Sequence, residues 1–173
     1  MVGINAEGWS AIGSAATAVT VAFTALQIAL SRRHERTEFE DGLVKEYREL
    51  LAILPPEVLL QLPEADDPEL VRKHLPVYYR YFDLCNEQIF LRQKGRVRKD
   101  TWREWRSGIV ENLERSGFRA AWALVEKQTD SFAELRALRR KCDVDPKSRR
   151  WESERKLTIE EMRAARARSI ALS

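Results

Sequence analysis

No charged side chain occurs from Trp9 to Leu30, and Ser31-Arg32-Arg33-His34-Glu35-Arg36 follows at once. At about 1.5 Å rise per residue this run predicts a helix of roughly 33 Å, long enough for a hydrocarbon core of about 30 Å. Within it Ile12, Val19, Phe23, Leu26 and Leu30 form one stripe, and Gly13, Thr17, Thr20, Thr24 and Gln27 form another. Lipid gives small residues no advantage, whereas close backbone approach and interhelical hydrogen bonds do, so the second stripe is expected to pair helices. Two other readings compete: Thr side chains bonded to their own backbone carbonyls, and a moderately apolar core helix of a soluble fold. The basic cluster flanks only the C-terminal side, which places the N-terminus outside and the chain after Ser31 in the cytoplasm. Without Lys or Arg ahead of Trp9, a cleaved leader is not expected.

Beyond the span the apolar positions keep helical spacing. Phe39, Leu43, Tyr47, Leu50, Leu51 and Leu54 make one face, with Glu40, Lys45, Glu46, Arg48 and Glu49 opposite, until Pro55-Pro56 stops the helix. Val58 to Leu62 reads as a short apolar turn or helix and Pro63 to Asp67 as an acidic loop. Asp67 then caps a helix beginning at Pro68 and running to about Lys94, broken or kinked at Pro76 and stopped by Gly95. Its packed stripe is Leu75, Tyr78, Tyr79, Phe82, Cys85, Asn86, Ile89 and Phe90. Asp100 or Thr101 is placed to cap a helix through Trp102, Trp105, Ile109, Val110 and Leu113, ending at Ser116-Gly117. Phe118, Ala121, Trp122 and Val125 mark a short helix, and Phe132, Leu135 and Leu138 another that Thr129 or Asp130 starts. After a loop from Cys142 to Pro146, Thr158 and Glu161 form a capping box that opens a last helix to about Ser169.

The pattern predicts an all-α chain: a membrane anchor over residues 1–36, a cytoplasmic helical domain over 37–142, and a basic tail with a short helix over 143–173. With 7 Gly, 6 Pro and 33% charged residues, the composition agrees. The net charge of +3 is uneven, because residues 136–168 hold twelve Lys/Arg against six Asp/Glu and leave the rest of the chain at −3. Cys85 and Cys142 fit no metal or redox spacing and read as free thiols.

A charge-free span ending in Leu26-Gln27-Ile28 before Ser31-Arg32-Arg33, a Tyr/Phe-rich helix from Tyr78 to Phe90, Gly95, the Trp102 to Trp105 pair and the Phe118 to Trp122 element resemble a group of single-pass bacterial membrane proteins. These carry a helical domain of unknown function, similar to domain of unknown function 4760. The matched pieces cover roughly a third of the chain. The resemblance implies a helical protein of the bacterial inner membrane and supplies no activity, cofactor or functional residue.

Candidate chemistry is sparse. The histidines are His34, beside the anchor, and His74, before Pro76, and no nucleophile-base pair is legible. Asp83, Asn86 and Glu87 could hold a metal or basic ligand if buried together, but read first as a solvated edge. The aromatic set Tyr78, Tyr79, Phe82, Trp102, Trp105, Phe118 and Trp122 reads first as core and second as base-stacking. The basic residues Arg136, Arg139, Arg140, Lys141, Lys147, Arg149 and Arg150 have three readings: a solvated face, contact with anionic lipid, or contact with a nucleotide or nucleic acid. The function expected is a non-enzymatic interaction or sensory module without cofactor, self-associating through its anchor. The alternative is a ligand-gated membrane effector that senses a nucleotide or nucleic acid and oligomerises through the same helix.

Overall fold

The computed structural model describes residues 6–171, with side chains described for 23–32 and 34–168. All elements among them are helical. The chain divides into two compact units, Met1–Phe39 and Glu40–Ser173, and helix α1, Ala6–Ile53, contributes to both.

In the first unit every described side chain from Phe23 to Arg32 is exposed, Phe23, Leu26, Ile28 and Leu30 by about half. The two predicted stripes therefore do not differ in burial here: Thr24 and Gln27 are as open as Phe23 and Leu26. Gly13, Thr17 and Thr20 lie outside the described side chains. Among the residues with described side chains no helix is long and apolar enough to cross a membrane, and residues 9–22, most of the predicted span, fall outside that set. Two i,i+4 contacts, Ser31 to Glu35 and His34 to Glu38, decorate the helix surface beyond the apolar run.

The second unit starts with the amphipathic end of α1. Leu43, Leu50 and Leu54 are buried as the spacing predicts, and Pro55 ends the helix. Helix α2 (Pro56–Leu59), a 3-10 turn at Pro63–Asp66 and helix α3 (Pro68–Lys73) follow. The Asp67 carboxylate accepts the Glu69 amide at 3.4 Å, the expected cap. Helix α4 is Leu75–Gln93 with Pro76 in its first turn, so the break expected at this proline is realised as two consecutive helices meeting at His74. Gly95, at φ +72°, supplies the left-handed stop.

Helices α5 (Lys99–Glu114), α6 (Ser116–Gln128) and α7 (Ala133–Arg140) pack around α4. Phe118 sets its ring edge-on to Tyr78 and Tyr81 at 5.2 and 4.9 Å, and Phe82 meets Trp122 at 5.0 Å. Most of the aromatic stripe is thus core, as expected, but Tyr79 and Phe90 are 42% exposed. Trp105 is only half-buried whereas Trp102, one turn earlier, is 1% exposed. Tyr81, Leu84, Gln88, Leu91 and Arg92 are the additional buried positions: α4 has neighbours on most of its circumference, and a one-face pattern gives it too narrow a buried stripe.

Three further expectations are corrected. Glu40, assigned to the solvated face, is 2% exposed. Its carboxylate accepts the Arg98 amide at 2.8 Å, Arg98 Nε at 2.9 Å and the Thr101 hydroxyl at 2.8 Å, so α5 is capped from α1 and not by Asp100 or Thr101. Gly117 is not a stop; it sits in the first turn of α6, where a Cβ would meet the Ala65 carbonyl at 2.7 Å. The last helix, α8, begins at Arg149 and not at Thr158. Thr158 lies inside it and donates its hydroxyl to the Glu154 carbonyl at 2.9 Å, while Glu161 pairs with Arg140. Trp151 holds α8 onto α7: the ring is fully buried and its Nε1 donates to Glu134 at 3.2 Å. Residues 143–171 accordingly belong to the same unit as α4 to α7.

Candidate functional site

The basic residues singled out in the sequence split into two groups. Arg136 is built into the fold: it donates to the carbonyls of Ser131, Glu126 and Thr129 at 3.0, 3.3 and 2.6 Å, and pairs with the Glu126 carboxylate at 3.2 Å. Arg139 shares Glu126 at 3.5 Å, and both guanidinium groups lie over the Trp122 ring. Arg140 pairs with Glu161, and Arg166 with Asp130. These four arginines line a groove of about 850 Å³ between α6, α7 and α8, whose walls also carry their carboxylate partners. A phosphate entering there would displace Glu126, Glu161 or Asp130. Lys147, Arg149 and Arg150 are exposed and Lys141 is half-buried, all near the start of α8.

The polar set on α4 is not drawn together. Asp83 and Glu87 are exposed, whereas Asn86 turns inward, and its carbonyl oxygen accepts the Glu134 and Leu135 amides at 3.1 and 3.2 Å. Asn86 therefore caps α7, which the left-handed Phe132 leaves without a local cap. Among the described residues no group of three His, Cys, Asp or Glu could hold a metal ion. Both cysteines are free thiols; Cys142 is exposed, and burial pushes the Cys85 thiol up to about 12, leaving it neutral and a poor nucleophile.

The surface that stands out is apolar. Pro55 and Pro56 cannot continue α1, and the chain folds into a tight corner held by Val58, Leu59 and Leu60 amides bonded to the carbonyls of Pro55 and Pro56. Val58 and Ala65 turn inward at 1% exposure and fix the corner against Gly117. The leucines between them face out, Leu59 36% exposed, Leu60 68% and Leu62 40%, and so does Ile53 at the end of α1, at 55%. Gln61, at φ 55°, adopts the left-handed conformation that reverses the chain between the two outermost leucines.

Acidic side chains surround the corner. Residues 49–71 contain Glu49, Glu57, Glu64, Asp66, Asp67 and Glu69 and no Lys or Arg. All but the half-buried Glu57 are exposed. The sequence offers one signal for this surface, a Val58 to Leu62 run bounded by prolines and followed by acids. Which of its residues face out depends on Gln61, whose backbone conformation the sequence does not announce.

Comparison of the chain with protein-family models, curated proteins and solved structures finds no match. The family resemblance rests on the quoted motifs alone.

Proposed function

We propose that this chain is a non-enzymatic, single-pass membrane-anchored helical module that recognises a partner protein through the corner at Ile53, Leu59, Leu60 and Leu62. The observation that carries the reading is four large apolar side chains standing exposed on a backbone that is itself fixed by Val58 and Ala65. Burying one such side chain is worth roughly 1.5 to 3 kcal/mol, so the corner gains free energy from being covered. The surrounding carboxylates select the cover: a helix with one apolar face and basic flanks, laid into the corner in the manner of a helix-in-groove complex.

The anchor half of the proposal rests on the uncharged run from Trp9 to Leu30 and on the exposure of Phe23, Leu26, Ile28 and Leu30 along its described end. Apolar side chains in that number need a cover, which a bilayer provides. The basic flank places residues 40–173 on the cytoplasmic side of a bacterial inner membrane. Self-association through Gly13, Thr17, Thr20, Thr24 and Gln27 is part of the same proposal.

Replacing Leu60 and Leu62 together by Asp tests it. Co-purification of the full chain from membranes should recover a protein with a basic amphipathic segment, and the double variant should lose that protein while retaining the parental melting temperature. Because rim charges are screened over about 8 Å at physiological salt, recovery should also fall with added salt. Equal recovery with the double variant would assign binding elsewhere.

A further inference from the structure

A second site in the 40–173 unit owes nothing to the corner. A cleft of about 280 Å³ opens between α1, α4 and α5, with Tyr47, Tyr81, Cys85, Gln88, Trp105 and Gly108 among its lining. Gln88 is 5% exposed, yet its side-chain amide makes no hydrogen bond among the described residues. Gln88 lines the cleft, so the donor and acceptor of its amide are available to an occupant. The neighbouring amide does not share this state: Asn112 donates to the Tyr47 and Tyr81 hydroxyls at 3.3 and 3.1 Å.

Gly108 adds no side chain to the wall of the cleft. It lies inside α5, where Ala would favour the helix, and a Cβ there would meet nothing within 4 Å. Trp105 is only half-buried, which leaves part of its large aromatic surface available beside the cleft. The inner wall is uncharged. Burial raises both the Tyr81 hydroxyl and the Cys85 thiol, and the charged lining side chains Arg48 and Glu104 are exposed at the rim.

We propose that this cleft binds a small planar ligand, one aromatic or heteroaromatic ring bearing a carboxamide or lactam edge. The ring packs on Trp105 and the edge pairs with Gln88. An amide side chain both donates and accepts, and a carboxamide or lactam returns both bonds at once. The volume lies at the lower edge of small-molecule sites, which suits a single ring and leaves little room for a nucleotide. The neutral inner wall offers a phosphate no counter-charge.

Benzamide is the minimal probe, titrated into the full chain in detergent while the tryptophan indole signals are followed by NMR, with Trp105→Phe identifying its signal. A saturable shift of Trp105 with a dissociation constant of roughly 1 mM is expected for a fragment of this size. Methyl benzoate, which matches the shape but donates no hydrogen bond, should bind at least tenfold more weakly, and Gln88→Leu should weaken benzamide to the same extent. Gly108→Ala narrows the opening while favouring the helix; it should bind benzamide severalfold more weakly without losing thermal stability. No saturable shift with benzamide, equal binding of the ester, or undiminished binding in Gln88→Leu would overturn the assignment.

Discussion

Gly108 and Gly117, in consecutive helices, respond oppositely to the same substitution. At Gly117 a methyl group would lie 2.7 Å from the Ala65 carbonyl oxygen and 2.8 Å from the Tyr78 hydroxyl, so backbone has to move. Gly117→Ala should cost about 1 to 3 kcal/mol. At Gly108 the space is open, and Gly108→Ala should gain up to about 1 kcal/mol from helix propensity alone. Thermal melts of the two variants, falling on opposite sides of the parent, check the packing of both helices. A sequence gives no hint of this difference, because Gly117 reads there as a helix stop and close approach depends on what packs against each glycine. Glu40 was illegible for the same reason. Its position in the helical pattern assigned it to water, and only the fold brings the start of α5, with its unsatisfied amides, against that carboxylate. The leucines and aromatics were easier to assign, since apolar periodicity reports burial directly. Trp105 departs from that rule because it lines the cleft between α1, α4 and α5 and is only half-covered there.

Among the elements, the loop between α7 and α8 is tied to α4 by one pair. Asp145 accepts from Arg92 Nε at 2.9 Å and Nη2 at 2.6 Å, while Arg92 Nη1 donates to the Val97 carbonyl at 2.9 Å. Burial alone would raise the Asp145 carboxyl, but its bonds to the Arg92 side chain and the Lys147 amide outweigh burial and hold it below the ordinary aspartate value. The stability this contributes is fully present above the unfolded-state value of about 3.9 and is lost as pH falls through the lower folded value. Asp145→Asn should cost roughly 2 kcal/mol at neutral pH, since Arg92 is left buried with a neutral partner. Measured by denaturant melts from neutral to acid pH, the gap between variant and parent should close below about pH 4. A constant gap would mean that Asp145 acts through packing and not through charge. Element types were legible along most of the chain, including the proline break before α4 and the Gly95 stop. The beginning of α8 was not, since the Thr158 to Glu161 box imitates a start and Trp151 is a single apolar anchor in a charged stretch, too little for periodicity to register.

For the whole molecule, a run of uncharged residues precedes a folded unit of residues 40–173 that carries an acid-rimmed apolar corner and a small neutral cleft. The arginines that made contact with an anion plausible in the sequence are largely matched by carboxylates in the fold, which favours a module that recognises protein over one that senses a nucleotide through its basic face. How these charges pair was not legible, because Glu126 and Asp130 precede the basic run and meet it only once α6, α7 and α8 pack. Anchoring and recognition at the corner go together in this reading of the molecule. A photo-crosslinking residue placed at Leu60 of the full chain, activated in cells and followed by carbonate washing of the membranes, tests both together. An anchored chain that binds at the corner remains in the washed membrane and carries a discrete protein adduct that Leu62→Asp removes; release of the chain by carbonate, or an unmodified chain at position 60, would contradict anchored recognition.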